Sequence, residues 1–251
     1  MQNSWMLSRV AVLICALGLS ACASTDPSAG FEGLDPYENT NRKIHNFNVT
    51  LDRNFLRPVG QGYDFVTPTL FQHVIGNGLN HIDLTNDFAN YLFQGELKAA
   101  SRSLGRFTLN TVLGLGGLLD PATEFGLPKE DTDFGVTLGK WGVDSGAFLM
   151  LPFLGPSSPR DLGGFIVDRA FDPGTYLGTV TGGDLYGPIT FVVGTVDQRA
   201  RNADLIDDVL YNSADSYVTL RSIYFQRRNA QITGGADTDA LPDIFDDEDT
   251  Q

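Results

Sequence analysis

The chain has 251 residues, enough for one large domain or two small ones, and 31 acidic against 17 basic side chains give it a net charge of -14. Such an acidic protein is poorly suited to binding nucleic acid or to adsorbing by charge on anionic lipid, so any membrane contact must come from apolar groups. The 28 glycines predict many helix breaks and close helix contacts rather than long uniform helices.

The N-terminal residues have the pattern of a cleavable secretion signal. Arg9 precedes an apolar run over residues 10–19, and small residues stand just before Cys22. The run has about ten residues, whereas crossing a bilayer takes roughly 20. The pattern therefore predicts a signal peptide over residues 1–21.

The residues around Cys22 make this prediction more specific. Leu19, Ser20 and Ala21 before the cysteine resemble the bacterial lipobox, in which the cysteine gains a diacylglycerol thioether and an acylated amine. The alternative is an ordinary secreted protein with an incidental cysteine. No Asp directly follows the cysteine, which favours the outer membrane. The sequence predicts no cofactor besides this covalent lipid on Cys22, and no disulfide, because Cys15 leaves with the signal.

After a small, polar tether over residues 22–34, a helix is predicted to begin at Asp35. Asp35 is expected to cap it, Pro36 to take its first position and Glu38 to reach back to the cap's amide. A single apolar stripe at helical spacing predicts the packing face. The stripe consists of Tyr37, Ile44, Phe47, Leu51 and Phe55.

Two further helices are predicted before a fourth that starts near Glu96. The second opens at residues 67–68 and is weakened by Gly76 and Gly78, by about 1 kcal/mol each relative to alanine. Asp83 is expected to cap the third, and Gly95 to end it.

The fourth helix carries two contrasting faces. Its apolar face is expected to point inward, with Leu97, Ala100, Leu104, Phe107 and Thr111. Its opposite face places Arg102, Arg106 and Asn110 one above the other. The helix leads into residues 113–119, an apolar segment that contains Gly114, Gly116 and Gly117.

Beyond residue 120 the pattern breaks into shorter pieces without the alternation of a strand, so an all-α fold is predicted. The most apolar stretch, residues 147–154, predicts either buried core or an element that dips into one leaflet. A turn is predicted at residues 155–159, and helices at residues 185–196 and 205–224.

One domain over residues 35–229 accounts for this body, and an acidic tail follows over residues 230–251. The tail has no basic residue and is predicted to be disordered. It is either a solvated end or a segment that docks on a basic partner.

The sequence contains no convincing catalytic or metal-binding pattern. His45, His73 and His81 form no paired motif around a glutamate, and no serine lies in a glycine-flanked nucleophile turn. Asp83 and Asp87 lie one helical turn apart; a cap plus a surface acid is preferred over a shared proton. The sequence therefore favours binding, scaffolding or transport over catalysis.

A set of short motifs runs from residue 35 to 161 and returns at 213–227. They are Asp35-Pro36-x-Glu38-x-x-Asn41-Arg42, Phe47-Asn48, Arg57-Pro58-Val59, Arg106-Phe107-x-Leu109-Asn110-Thr111-x-Leu113-Gly114-x-Gly116-Gly117-x-x-Asp120, Phe134-Gly135-x-Thr137-Leu138-Gly139-x-x-Gly142-Val143, Leu151-Pro152-Phe153-x-Gly155-Pro156, Arg160-Asp161, Ser213-x-Asp215-x-Tyr217 and Tyr224-Phe225-Gln226-Arg227. Together with the lipobox, they resemble the MlaA (VacJ) lipoproteins. The resemblance is thin between residues 170 and 194.

This resemblance implies a single ring-shaped helical domain, embedded in the inner leaflet of the outer membrane and often found beside a trimeric porin. Phospholipids misplaced in the outer leaflet would pass through its amphipathic channel to a soluble periplasmic lipid carrier. The carrier would deliver them to an inner-membrane ATP-driven complex. The implied activity is retrograde phospholipid transport that maintains the lipid asymmetry of the outer membrane.

Two groups of residues are candidates for the lipid path. Arg102, Arg106 and Asn110 are candidate head-group contacts; the alternatives are a solvated face or a hydrogen bond between helices. The glycines of residues 113–119 are a candidate hinge of the channel, or merely a tight turn; they are Gly114, Gly116 and Gly117. The rival functions are a structural or scaffolding lipoprotein without transport activity, and a lipid hydrolase, against which the missing nucleophile pattern argues.

Overall fold

The computed structural model describes residues 34–172 and 186–234. The predicted signal peptide, Cys22 and the tether up to residue 33 lie outside this part of the chain, as does the acidic tail from residue 235. The described residues are mostly helical, as predicted, with one small hairpin that was not.

The helices of the described residues range from 4 to 25 residues in length. They are α1 (Glu38–Leu51), α2 (Arg57–Val66), α3 (Thr69–Phe93), α4 (Leu97–Val112), α5 (Pro121–Glu124), α6 (Phe134–Lys140), α7 (Pro159–Phe171), α8 (Tyr186–Arg201), α9 (Ala203–Asp207) and α10 (Ser216–Thr233). Two segments are π-helical: π1 (Asp52–Leu56) joins α1 to α2, and π2 (Asp208–Asn212) follows α9.

Helix α3 is a single helix of 25 residues, where two had been predicted. Gly76 and Gly78 do not interrupt it, and Asp83 lies in its interior instead of capping a new helix. Gly76 serves packing, because a Cβ there would lie 2.6 Å from a guanidinium nitrogen of Arg201. Gly95 ends the helix as predicted, at φ +75°, a conformation that glycine adopts without strain.

The predicted cap of the first helix is wrong. Helix α1 begins at Glu38, and no side chain caps it. Asp35 is buried instead and accepts hydrogen bonds from Asn41 (2.8 Å), Arg221 (2.8 Å) and the hydroxyl of Tyr217. The N-terminus of the described chain is thereby tied to α10.

In α1 and α4, much of the apolar face that was expected to be buried is exposed on the surface. Along α1 and π1, Phe47 and Phe55 are 47 % and 58 % exposed. In α4, Leu97 and Leu104 are exposed as well, although Ala100 is buried as predicted. The residues that these segments bury are Asn41, His45, Asp52, Ala99, Ala100, Ser103, Arg106 and Asn110.

The unpredicted hairpin pairs β1 (Leu149–Leu151) with β2 (Gly155–Ser157), which occupies part of the predicted turn. Two asparagines of α1 also bond to the backbone of this region. Asn41 donates to the carbonyl of Phe148 and accepts from the amide of Met150, both at 3.0 Å. Asn48 donates to Leu151 at 2.9 Å and accepts from Phe153 at 3.0 Å. Side chains of a helix therefore do part of the bonding that a third strand would do.

The apolar stretch at residues 147–154 is divided between core and surface. Phe148 and Met150 are fully buried in an aromatic core with Tyr217 and Phe225. By contrast, Phe153 is 65 % exposed.

The C-terminal helices differ from the prediction at their ends. The predicted helix at residues 205–224 is interrupted by π2 and by a new start at Asp215, whose side chain accepts from the amides of Tyr217 and Val218. Helix α10 then continues to Thr233, past the predicted domain end at residue 229. Within the described ranges, no helix combines the length and hydropathy that crossing a bilayer requires.

Candidate functional site

The interior of the described domain is largely polar, and much of its surface is apolar. In water-soluble monomers, charged side chains are rarely fully buried unless they are paired, and large contiguous apolar patches are rarely exposed. The buried polar side chains include Asn41, His45, Asp52, Gln72, His81, Asp87, Asn90, Arg106, Asn110, Asp161, Arg199 and Arg221.

Exposed apolar side chains are spread over the described domain, and three groups of them are close together in the chain. The first is the corner between α2 and α3, where Phe65 is 91 % exposed. The second is the segment after α4, and the third is one side of α8. In chain order these residues are Phe65, Val66, Leu70 and Phe71; then Val112, Leu113, Leu115, Leu118 and Leu119; then Ile189, Phe191, Val192 and Val193.

Arg106 forms the centre of a buried polar cluster on α4. Its guanidinium donates to both carboxylate oxygens of Asp120, at 3.0 and 2.9 Å, and to the hydroxyl of Thr123 at 3.1 Å. Asn110, one turn further on, donates to the same carboxylate at 2.8 Å and accepts from the amide of Ala122. Burial raises the pKa of Asp120, but hydrogen bonds from Thr123, Asn110 and Arg106 outweigh it and hold the pKa below its usual range. This cluster fastens both ends of the segment between α4 and α5.

That segment, residues 113–120, is called the glycine loop below. Gly117 donates to the carbonyl of Asn110 at 2.8 Å, and Leu119 donates to that of Gly114 at 2.9 Å. A Cβ on Gly114 would lie 2.4 Å from the carbonyl oxygen of Asn110. Gly116 has a positive φ of +75°, and a Cβ there would face open space. The loop is thus a tightly wound turn, and the hinge function remains a prediction.

His81 of α3 packs against the glycine loop and against α4. Its ring stacks on Phe107 at 4.6 Å and its Nε2 lies 3.2 Å from the hydroxyl of Thr111. Gly117 lies against the same ring, where a Cβ would come within 2.3 Å. Burial lowers the pKa of His81 and so favours the neutral imidazole.

The structure places the three predicted head-group contacts differently. Arg106 and Asn110 share Asp120 and are buried. Arg102 stands apart from them, half-buried, and pairs with Glu130. The partners of Arg106 and Asn110 include Asp120 and residues of α5, whereas Glu130 lies in the loop that follows α5. A head-group contact by any of the three stays a prediction.

A second feature, missed by the sequence reasoning, is a charged cleft between α3, α7 and α8. It has a volume of about 310 Å³. Arg201 pairs with Asp197 at 2.6 Å, and Arg169 pairs with Asp172 at 2.9 Å. Asp197 also accepts from the hydroxyl of Tyr63 at 2.9 Å. The lining residues include Gly76, Asn80, Asp83, Phe165, Arg169, Asp172, Thr190, Phe191, Gly194, Asp197, Gln198 and Arg201.

The cleft is amphipathic and lies beside the polar cluster. Phe165 and Phe191 of its wall are 43 % and 41 % exposed. Asn80 lines the cleft and also a small polar cavity that Arg106 and Asp120 help to form. The one sequence signal for the cleft was Gly76, a glycine inside a helix, which leaves room for Arg201.

The arrangement offers contacts to both the polar and the apolar part of an amphiphile. In residues 34–172 and 186–234 no three His, Cys, Asp or Glu side chains are placed to hold a metal ion. Arg169 and Arg201, each paired with an aspartate, carry N–H donors that suit a phosphate. The exposed rings of Phe165 and Phe191 offer contact to hydrocarbon.

Comparisons with known proteins place the chain among relatives. The family model for the MlaA lipoprotein matches residues 34–231. The chain is 32 % identical over 239 residues to the intermembrane phospholipid transport system lipoprotein MlaA of Haemophilus influenzae, covering 94 % of each chain. It is 31 % identical over 207 residues to the protein of that name in Escherichia coli, covering 80 % of this chain and 79 % of the other.

A solved structure is similar as well. It comes from work on the structural basis for maintenance of bacterial outer membrane lipid asymmetry. The TM-score is 0.71 at 33 % sequence identity, and the match covers 79 % of this chain and 98 % of the solved one.

Proposed function

This chain belongs to the MlaA lipoprotein family, and we propose from that premise that it serves intermembrane phospholipid transport as a passive channel. Mislocalised phospholipids leave the outer leaflet of the outer membrane through it, which keeps that membrane asymmetric. The observation that carries the proposal is a charged cleft bordered by exposed aromatic side chains, in a domain whose outer faces are apolar.

The energetics explain why such a passage is needed. A phospholipid has roughly 30 methylenes, and exposing each to water costs about 0.8 kcal/mol, so free passage costs on the order of 25 kcal/mol. A corridor lowers this barrier when it keeps the tails in apolar contact while polar groups meet the head group. Without an energy source in the channel, direction comes from tighter binding by an acceptor downstream.

Different residues take different parts in this proposal. Arg169 and Arg201, at the cleft, supply donors to the head-group phosphate. Arg106 and Asn110 act through the glycine loop that they fasten, with Gly114, Gly116 and Gly117 as its turn. Arg102 remains a candidate head-group contact, which would have to displace Glu130.

The location follows from apolar groups rather than charge. Members of the family are membrane-associated lipoproteins of the envelope. We place this chain in the periplasm-facing leaflet of the outer membrane, anchored by acyl groups on Cys22. Several acyl chains hold firmly where one binds only marginally. A trimeric porin and a soluble periplasmic lipid carrier are the partners expected from the family resemblance.

Transport and scaffolding are separated by labelling outer-leaflet phospholipid in cells that lack the protein. A transport role predicts excess label that the wild type removes, whereas a purely structural lipoprotein predicts none. A hydrolase is tested in parallel, since it would release fatty acid or lysolipid when the purified protein meets phospholipid. Rescue by Cys22→Ala should be poor; full rescue would remove the anchor from the proposal.

The cleft itself is tested with a matched pair on α8. Thr190 lines the cleft, whereas Val192 lies on the same helix, 58 % exposed and outside the lining. At equal abundance, Val192→Trp should restore asymmetry and Thr190→Trp should not. Equal rescue by both variants would mean that lipids do not pass through the cleft.

A further inference from the structure

The domain has a second, larger cavity, which shares no lining residue with the cleft. Its volume is about 400 Å³, and it is bounded by α1, π1, the hairpin, α9, π2 and α10. The apolar lining residues are Val49, Leu51, Leu56, Met150, Phe153, Leu154, Leu205, Ile206, Val209, Leu210, Leu220 and Ile223.

The polar side chains at this cavity already have partners. Nε2 of His45 lies 2.8 Å from the hydroxyl of Ser216. The amide of Asn48 is used by the hairpin. Asp52 accepts from Arg199 at 2.8 and 3.2 Å and from Tyr211 at 2.6 Å. What the cavity offers a ligand is therefore contact with hydrocarbon.

Both π-helical segments contribute to the wall. Tyr211 of π2 donates to Asp52, the first residue of π1, so a partly buried hydrogen bond ties the two segments together. Arg199 joins the same pair by bonding both Asp52 and Asp207. π-Helical turns are rare and frequently occur at functional sites. Here two of them are locked side by side next to one cavity.

The size and the rim indicate what fits. An apolar cavity of about 150 Å³ stays dry and binds benzene; by the same ratio, about 400 Å³ takes on the order of 16 carbon atoms, the size of one fatty acyl chain. The rim is apolar too, since Phe153 and Leu205 are both 65 % exposed and Leu154 and Ile223 are partly so. A chain that enters from a bilayer stays in apolar contact throughout.

We propose that this cavity binds one acyl chain of a phospholipid, as a lipid-tail site separate from the cleft. The choice of phospholipid rests on the proposed function. The other tail of the lipid lies along the apolar rim, so the cavity holds a lipid by one chain beside the transport path.

The test uses the full-length acylated protein in vesicles that contain phosphatidylethanolamine with a photoactivatable group in one acyl chain. After illumination, crosslinked residues are mapped by mass spectrometry. We expect crosslinks at Met150, Val209 and Leu220. Val209→Trp, which fills the cavity, should reduce them at least tenfold, whereas Val59→Trp, on the exposed side of α2, should leave them unchanged. Crosslinks at Phe191 of the cleft in the same samples report that the variants are folded.

Each other outcome overturns a defined part of the argument. Crosslinks at the cleft without any at the cavity would overturn this proposal and leave the transport function standing. Crosslinks at neither place would count against both. Cavity crosslinks that appear only in a full-length Cys22→Ala variant would show that the protein's own anchor fills the cavity, which overturns the assignment to phospholipid.

Discussion

Two regions of the molecule are each built around a buried arginine–aspartate pair, but the pairs join different parts of the chain. Arg221 and Asp35 lie 186 residues apart and meet within the aromatic core of Phe148 and Tyr217. Arg106 and Asp120 lie only 14 residues apart and fasten the glycine loop. The first pair therefore closes the domain, whereas the second holds a local turn.

This difference indicates how substitutions in the two regions change stability. A contact that closes the whole fold is lost only on global unfolding, whereas a local contact can open by itself. The region that borders the proposed lipid path is the one held locally. We therefore expect the glycine loop to open at lower cost than the closure at Asp35, which would suit a protein that passes its ligand on.

The largest loss of free energy of unfolding is expected from Asp35→Ala. The substitution leaves the guanidinium of Arg221 buried without its carboxylate and also takes a partner from Asn41. Breaking a buried pair in this way costs about 3–5 kcal/mol. Urea unfolding of the protein in detergent should show one cooperative transition at a much lower midpoint.

The matched control for that variant is Glu38→Gln. Glu38 is at the edge of the same network, and its side chain is 41 % exposed where it pairs with Arg42. Exposed pairs contribute about 0–1 kcal/mol, so the midpoint should hardly move. Equal losses from both variants would show that the closure does not depend on Asp35.

The next largest change in stability is expected at Asp87, a buried acid of α3. It is 3 % exposed, and its Oδ1 accepts a hydrogen bond from the amide of Thr132 at 3.1 Å. Burial raises its pKa to about 7. Folded Asp87 therefore keeps its proton where an unfolded aspartate has released it, so stability falls as the pH rises from about 4 to about 7.

Asp87→Asn should remove this loss, because the amide oxygen still accepts from Thr132. At pH 8 we expect the variant to be more stable by about 2–4 kcal/mol, at about 1.4 kcal/mol per unit of pKa shift, with the gain vanishing near pH 4. Unfolding curves at several pH values measure it. The exposed Asp144→Asn should leave the pH dependence as it is. A wild type whose stability does not change between pH 4 and 7 would contradict the assignment.

A smaller and local effect is expected in the glycine loop. Gly117→Ala places a Cβ against His81 at φ +92°, so strain and overlap together should cost about 2–3 kcal/mol. Gly116→Ala also has positive φ but meets open space, so about 1 kcal/mol is expected. Amide exchange of residues 117 and 119 should rise much more in the first variant, while α10 stays protected. If α10 lost protection equally, the loop would not be a local unit.

The sequence predicted where helices begin and end better than it predicted which side of each helix is buried. Gly95 and the start of α4 were predictable because caps and stops depend on neighbouring residues. The buried side of α1 was not, since helical spacing locates an apolar stripe but not what the stripe touches. Phe47 and Phe55 face outward here, which is expected of a surface that meets hydrocarbon.

Contacts between residues far apart in the chain could not be predicted from the sequence either. The pattern at Asp35 is that of a helix cap, and only folding shows that Arg221 is its partner. Arg106 and Asn110 were found because they lie one turn apart, whereas Arg169 and Arg201 lie on separate helices. The strands of the hairpin have three residues each, and their bonds to Asn41 and Asn48 come from another element.

The smallest effect on folding, and the sharpest test of the outer surface, comes from Phe65. It is 91 % exposed at the corner of α2 and α3, so Phe65→Ser should change the free energy of unfolding by less than about 0.5 kcal/mol. If this corner enters hydrocarbon, the same change should weaken vesicle binding by about 1.5–3 kcal/mol, or roughly tenfold to a hundredfold. Flotation in a Cys22→Ala background measures that binding without the lipid anchor. Unchanged flotation would mean that the corner stays out of the bilayer, and the membrane-facing surface would then have to be sought at the glycine loop or α8.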